Sequence, residues 1–185
     1  MPSRMSRTCL IMVNLIIVVL ALVGGALSCS SSSPSNSTPS PTPHPHKAPD
    51  FTLPTMTGSE ITLSELEGTP VVLNFWATWC GYCVIELQYF EAVAQQGKGK
   101  IKIVAVDIGE PTSRVQKFFG DYEPTMIVAL DKSGEIFLTY SQRYNNPRGS
   151  VPITFFIDSE GVIQHIKIGA FMSELELQNT LRSLF

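Results

Sequence analysis

Near the middle of the chain a buried strand, a helix and a second strand follow one another, and this order limits the possible folds more than any other feature. The nearly continuous apolar run Val71–Trp76 is typical of a strand that is buried on both faces of a sheet. After it, Cys83–Ala94 carries apolar residues at steps of four, three and four, which is helical spacing. A second apolar run, Ile101–Val106, completes a βαβ unit, so the two strands are predicted to be parallel.

The segments after this unit complete one α/β domain. Thr125–Leu130 reads as a further strand, whereas Glu135–Tyr140 is ambiguous. Ile153–Ile157 and Val162–Ile168 are separated by Asp, Ser, Glu and Gly, which are turn residues, so they predict an antiparallel hairpin. A capping box opens the last segment, Ser173–Leu184, whose leucines form one face of a helix. We therefore predict an α/β fold in which helices flank a central mixed β-sheet.

The first residues have the order of a secretory signal. Arg4 and Arg7 make a basic start, and Leu10–Leu27 is almost wholly apolar. No charged residue follows until Lys47. Because this charge bias keeps the basic end in the cytoplasm, we expect the rest of the chain to lie outside the cytoplasmic membrane.

A cysteine directly follows the apolar run. The run ends in Gly25–Cys29, which resembles the lipobox of bacterial lipoproteins, although its leucine stands one position later than usual. An uncleaved transmembrane anchor and cleavage that releases a soluble protein are the two alternatives. We predict a signal peptide over residues 1–28, lipidation of Cys29, a flexible Ser/Pro-rich tether over 29–47 and a globular domain over 48–185.

Composition argues against one class of partner and singles out one pair of cysteines. With 13 Lys and Arg against 16 Asp and Glu, the net charge of -3 gives no electrostatic reason to expect a nucleic-acid partner. Of the four cysteines, Cys9 and Cys29 flank the apolar N-terminal run. Only Cys80 and Cys83 lie within the domain, and a domain of about 140 residues has a core that needs no disulfide framework.

Cys80 and Cys83, with two residues between them, suit three kinds of site. A zinc site needs two more ligands, and the domain offers no second cysteine pair and a single histidine, His165. A purely structural disulfide would close a very small loop and constrain the unfolded chain little. A redox site fits better, because the start of the predicted helix offers N–H groups and partial positive charge that stabilise a thiolate. Cys80 is then the nucleophile, and Cys83 resolves the mixed disulfide.

Several stretches of the chain resemble a known superfamily. Asn74–Cys83 is similar to the active site of thioredoxins. Together with Ala48–Phe51, Leu63–Gly68 and Val151–Asp158, it resembles the TlpA/ResA-like extracytoplasmic thiol-disulfide oxidoreductases, which have an AhpC/TSA-type domain. The resemblance covers residues 48–185 and implies a thioredoxin-like fold and a protein-disulfide oxidoreductase that uses a dithiol/disulfide pair.

The resemblance also implies roles for residues around the cysteines. Pro152 matches a proline that is cis in this superfamily and faces the pair. Since proline has no N–H, the backbone edge at Val151 is expected to stay free for a substrate strand. Glu86, one helical turn after Cys83, matches an acidic residue near the active site and is expected to tune the cysteine pKa values or relay a proton. The alternative for Glu86 is a solvated helix residue.

Five more residues are implied to support the site. Trp79 is expected to shield the pair and to contact partners, and Gly169 resembles a glycine that lines the substrate groove. Gly81 and Tyr82, between the cysteines, affect the reduction potential. Asn74 stands where cytoplasmic thioredoxins carry a buried aspartate, which makes Glu86 the better candidate for handling protons.

The chain departs from the family pattern at two further places. Gln88 replaces a proline that commonly kinks the active-site helix, so the helix is expected to run straighter. Residues 145–149 resemble a small insertion before Pro152, which is expected to reshape the partner groove.

The implied activity is reduction of disulfides in proteins outside the cytoplasm, with an oxidase or an isomerase that uses the same residues as alternatives. The best-known task of similar proteins is cytochrome c maturation, in which the haem-attachment cysteines of the apocytochrome are kept reduced. This implies exported protein thiols and disulfides as partners, a membrane thiol carrier as electron donor, a lipid anchor in the membrane, and neither a metal nor a cofactor beyond the Cys80–Cys83 disulfide. Two alternatives are a thiol peroxidase, whose Pro-x-x-x-Thr-x-x-Cys setting is absent, and a Sco-like copper chaperone, which has three residues between its cysteines and a distant histidine.

Overall fold

The computed structural model describes residues 46–97 and 99–185. The predicted signal peptide, the lipidation site Cys29 and all but the last two residues of the predicted tether lie outside them. Within the described part of the chain, no helix combines the length and the apolar character needed to cross a membrane.

The described residues form seven strands in two sheets. A small antiparallel sheet consists of β1 (Thr52–Pro54) and β2 (Glu60–Thr62). The central sheet consists of β3 (Val71–Trp76), β4 (Lys102–Ile108), β5 (Ile127–Asp131), β6 (Ile153–Ile157) and β7 (Ile163–Ile168).

The central sheet has the order β5-β4-β3-β6-β7 and is mixed. β3 pairs with β4 in parallel, as the βαβ pattern predicts, and β4 pairs with β5 in parallel. On the other side, β6 is antiparallel to both β3 and β7. The predicted hairpin and the predicted mixed sheet are therefore confirmed.

Four α-helices and one 3₁₀ helix (Leu63–Leu66) connect the strands of the described residues. The α-helices are α1 (Gly81–Gly97), α2 (Thr112–Phe119), α3 (Glu135–Arg143) and α4 (Glu174–Leu184). Half of the capping box predicted for α4 is present: the Glu176 N–H donates to Ser173 Oγ at 3.2 Å. The Glu176 side chain accepts from the Met172 N–H at 2.9 Å instead of from the Ser173 N–H.

Helices cover both faces of the central sheet, and β3 is buried along its whole length. Alternate residues of a strand point to opposite faces. Val72 and Trp76 belong to a core that also includes side chains of α1, α2 and α4. Leu73 and Phe75 belong to the second core, with side chains of β1 and α3. β3 is therefore the centre of the domain, and its carboxyl end is where the cysteine pair follows.

The segment that the sequence leaves ambiguous is helix α3. Its first turn is capped from outside the helix, because Asp131 Oδ2 accepts a hydrogen bond from the Phe137 N–H at 2.8 Å. Its buried Tyr140 packs in the second core, and the Tyr140 hydroxyl donates to the Pro49 carbonyl at 2.6 Å. The first contact comes from the end of β5, six residues earlier, and the second joins residues 91 positions apart. Contacts from outside the segment therefore stabilise this helix.

Candidate active site

Cys80 and Cys83 form a disulfide at the amino end of α1. A tight turn after β3 leads to the pair, and in it the Cys80 N–H donates to the Ala77 carbonyl at 3.1 Å. The two Cα atoms are 5.2 Å apart. The Cys83 N–H, in the first turn of α1, donates to Cys80 Sγ at 3.2 Å. Such an N–H stabilises negative charge on the first sulfur when the disulfide is reduced.

Of the two cysteines, only Cys80 keeps any exposed surface. Cys83 is fully buried, whereas the exposed fraction of Cys80 is 9%. The flanking aromatic residues are open, with exposed fractions of 64% for Trp79 and 63% for Tyr82. Gly81, between the cysteines, has no atoms within 4 Å of where a Cβ would lie. Access to the pair is therefore through Cys80, across an apolar rim.

A second segment of main chain faces the disulfide. The Val151–Pro152 peptide bond is cis, and the Val151 carbonyl oxygen lies 3.9 Å from Cys80 Sγ. The Pro152 carbonyl accepts a hydrogen bond from the Gly169 N–H at 2.8 Å. Gly169 has φ of 94°, a conformation that favours glycine. Residues that are distant in the sequence thus meet at one edge of the cysteine pair.

Glu86 is a fully buried residue of the active-site helix α1. One carboxylate oxygen accepts from Asn74 Nδ2 at 2.8 Å, and the other accepts from the Phe171 N–H at 2.9 Å. Burial raises the pKa of Glu86 to about 7, although these two hydrogen bonds act to lower it. The carboxyl group can therefore hold or release a proton near neutral pH, one turn of helix from Cys83.

The structure adds two carboxyl groups that the sequence did not indicate. Glu110 holds the turn before Cys80, because it accepts from the Thr78 N–H at 2.6 Å and from the Thr78 hydroxyl at 2.8 Å. Burial alone would raise the pKa of Glu110, but these hydrogen bonds outweigh it, so the pKa is lower than its ordinary value.

Asp107, at the end of β4, is the register partner of Trp76 and is fully buried. Neither of its carboxylate oxygens has a hydrogen-bond partner among the described residues. Burial, and next the neighbouring Glu110, raise the pKa of Asp107 to about 8. The sequence signal that could have drawn attention to Asp107 and Glu110 is their position: both lie at the end of β4, just before Pro111.

The residues predicted to surround the cysteine pair lie near it, whereas Cys29, predicted to be lipidated, lies outside the described residues. His165, the histidine considered for metal binding, is exposed on β7. In residues 46–97 and 99–185, His, Cys, Asp and Glu side chains form no cluster of three that could hold a metal ion. The peroxidase and copper-chaperone alternatives stay predictions.

A disulfide with one accessible sulfur, at the amino end of a helix that follows the central strand of a mixed sheet, defines a thiol-disulfide oxidoreductase with a thioredoxin fold. The model of the AhpC/TSA family matches residues 45–166. The thiol-disulfide oxidoreductase ResA of Geobacillus kaustophilus is 34% identical over 138 residues, which are 74% of this chain and 75% of the relative. The chain belongs to the AhpC/TSA family and, within it, to the ResA-like thiol-disulfide oxidoreductases.

Solved structures agree with this assignment. A structure described as a putative thiol:disulfide interchange protein DsbE from Chlorobium tepidum has a TM-score of 0.64 and 29% identity, covering 76% of this chain and 96% of that one. The exposed lipoprotein thioredoxin Etrx1 of Streptococcus pneumoniae has a TM-score of 0.61 and 28% identity, covering 74% of this chain and 100% of that one. The predicted thioredoxin-like fold is thereby confirmed.

Proposed function

We propose that this protein reduces disulfides in exported proteins. The observation that carries the direction of transfer is the buried carboxyl group of Glu86, one turn of helix from Cys83. A strong oxidant stabilises its reduced form through a thiolate of very low pKa. Here the negative charge of a buried carboxylate disfavours a thiolate nearby. Residues 77–85 and 150–153 contain no Lys, Arg or His whose positive charge would stabilise the thiolate. The dithiol is therefore a good electron donor.

The reaction starts from the reduced pair. The Cys80 thiolate attacks one sulfur of a substrate disulfide, so that the substrate S–S bond breaks and a mixed disulfide forms. Cys83 then loses its proton, for which the carboxylate of Glu86 is the nearest buried acceptor on the same helix face, and attacks Cys80 Sγ. The mixed disulfide breaks, and the substrate leaves as a dithiol carrying both electrons. The product on the enzyme is the Cys80–Cys83 disulfide that the structure contains.

Substrates and electron donor follow from this chemistry and from the family. We propose that the substrate strand pairs with the backbone edge at Val151, as resemblance to the superfamily implies. The substrate we favour is a haem-attachment cysteine pair of apocytochrome c. ResA-like proteins resemble this chain over most of the domain, and cytochrome c maturation is the best-known task of such proteins. A dithiol carrier in the membrane regenerates the reduced pair. No cofactor besides the disulfide, no metal and no nucleic acid take part.

The proposed location is the outer side of the cytoplasmic membrane. Lipidation of Cys29 would anchor the chain, and the Ser/Pro-rich tether would hold the domain away from the membrane surface. The similarity to a pneumococcal thioredoxin described as an exposed lipoprotein supports this location. In cells, Cys29→Ser is expected to move the protein from the membrane fraction to the soluble fraction.

Two measurements test the proposed reaction. The midpoint potential of the cysteine pair should lie near that of thioredoxin, about -270 mV, and a value near -120 mV would contradict a reductase. A Cys83→Ala variant expressed in bacteria should accumulate mixed disulfides through Cys80 with exported proteins, because the second attack is lost. The double variant Cys80→Ala, Cys83→Ala is the control and should trap nothing.

A further inference from the structure

The loop between α3 and β6 is organised around one buried side chain, that of Asn146, whose exposed fraction is 3%. Asn146 Nδ2 donates to the Ser150 carbonyl at 2.9 Å, and the Ser150 N–H donates to Asn146 Oδ1 at 3.0 Å. The side-chain amide therefore pairs with both main-chain polar groups of Ser150, as a neighbouring strand would.

The main chain of Asn146 is held as well. Its N–H donates to the Ser141 carbonyl at 2.9 Å, which ties it to the end of α3. Its carbonyl accepts from the Gly149 N–H at 2.9 Å, which closes a turn over Pro147 and Arg148. Through its side chain and its main chain together, Asn146 thus links Ser150 to the end of α3.

Ser150 directly precedes the main chain that faces the disulfide. The Val151 carbonyl lies 3.9 Å from Cys80 Sγ, and a disulfide sulfur has no proton to donate to it. Among the described residues, none accepts a hydrogen bond from the Val151 N–H. Val151 therefore presents an unpaired N–H and C=O beside the reactive sulfur, and Asn146 fixes the residue before it.

We propose that Asn146 is a positioning residue for protein substrates: it holds Ser150 and Val151 in the conformation that pairs with the substrate main chain beside Cys80. This inference rests on the proposed function, because it concerns the reduction of protein disulfides. We call the two hydrogen bonds between the Asn146 side chain and Ser150 the clamp. A loop that is already ordered loses little conformational freedom when the substrate binds. Removing the clamp therefore weakens substrate binding more than it slows thiol exchange. A small disulfide that makes no main-chain contact does not use the clamp.

Rapid mixing of the reduced protein with oxidised insulin or with cystamine tests this proposal, with tryptophan fluorescence reporting oxidation of the pair. For Asn146→Gly we expect KM for insulin to rise about tenfold, the size of losing two modest hydrogen bonds, with kcat within about twofold. The rate with cystamine and the reduction potential should not change. Asn146→Asp keeps the acceptor for the Ser150 N–H but places a buried carboxylate oxygen against the Ser150 carbonyl, so KM for insulin should rise at least as much as in Asn146→Gly.

Glu160→Gly is the control, because it also introduces glycine at an exposed loop residue, in the turn between β6 and β7 at the opposite end of β6 from Val151. It should behave as the wild type. Equal KM for insulin in wild type and Asn146→Gly, or equal losses with insulin and cystamine, would overturn the proposal. If Asn146→Gly does not fold, Asn146→Asp decides the question by the same criteria. A wild-type protein that reduces neither substrate would instead contradict the proposed function.

Discussion

Replacing Glu86 by glutamine is expected to change how the stability of the oxidised protein depends on pH. Glu86 is fully buried, and burial raises its pKa from an ordinary 4.5 to about 7. Between these values the folded protein keeps a proton that the unfolded chain releases, so the free energy of unfolding falls as pH rises. At about 1.4 kcal/mol per pH unit, the full fall is about 3 kcal/mol. A glutamine has no such proton, so the variant lacks this part of the pH dependence.

Glutamine is the informative substitution because the site can accommodate it. Asn74 Oδ1 is buried and has no hydrogen-bond partner among the described residues, while Asn74 Nδ2 donates to Glu86. After rotation of the Asn74 amide, its oxygen can accept from the new side-chain NH₂, and the glutamine oxygen can still accept from the Phe171 N–H. Glu86→Gln should therefore fold, whereas Glu86→Ala would leave a cavity and unpaired donors.

Guanidinium unfolding of the oxidised protein at pH 5 and pH 8, without added thiol, measures the effect. The wild type should lose about 3 kcal/mol more than Glu86→Gln between these pH values, with similar m-values. Glu65→Gln is the control, since Glu65 is exposed and its replacement should leave the wild-type pH dependence unchanged. Parallel pH curves for the wild type and Glu86→Gln would refute the assignment of a near-neutral, proton-holding carboxyl group to Glu86.

Two further predictions concern other buried carboxyl groups. Burial and Glu110 raise the pKa of Asp107 to about 8, so Asp107→Asn should raise the free energy of unfolding. The difference between variant and wild type should grow by about 1.4 kcal/mol per pH unit from pH 5 to pH 8. A difference that does not change with pH in guanidinium unfolding would contradict this. Although burial opposes it, hydrogen bonds from the Thr125 and Met126 N–H groups lower the pKa of Glu91. Its contribution to stability is present above the ordinary pKa and lost on acidification, so Glu91→Gln should cost about 2 kcal/mol at pH 7 and less at pH 3, as measured by urea unfolding.

The sequence predicts the elements whose signal is local. The run Val71–Trp76 is continuous and apolar because both faces of β3 are buried, and the steps after Cys83 reflect one buried face of α1. The position of the cysteine pair follows from these two elements alone. Pro152 and Gly169 were placed beside it through resemblance to a superfamily, since no local pattern shows that they meet.

What the sequence did not predict depends on side-chain contacts that no residue pattern encodes. Glu110 and Thr78 are 32 positions apart, and neither residue type nor spacing indicates that one caps the turn of the other. Asn146 looks like an ordinary loop asparagine until its burial and its pairing with Ser150 are seen. α3 is short, and its helical state depends on Asp131 from the preceding strand.

The pairing of Asn74 with Glu86 explains how the site can hold this buried carboxyl group both in its ionised form and after it has taken the proton of Cys83. When Glu86 is ionised, Asn74 Nδ2 donates to it, as the structure shows. When Glu86 has taken the proton of Cys83, its hydroxyl needs an acceptor, and rotation of the Asn74 amide offers the oxygen that is otherwise unpaired. The hydroxyl of Thr154, the other partner of Asn74 Nδ2 at 3.0 Å, can donate as readily as it accepts, so the rotation keeps that contact. An aspartate at this position would instead place a second charge beside Glu86, and the proton would be shared between two carboxyl groups.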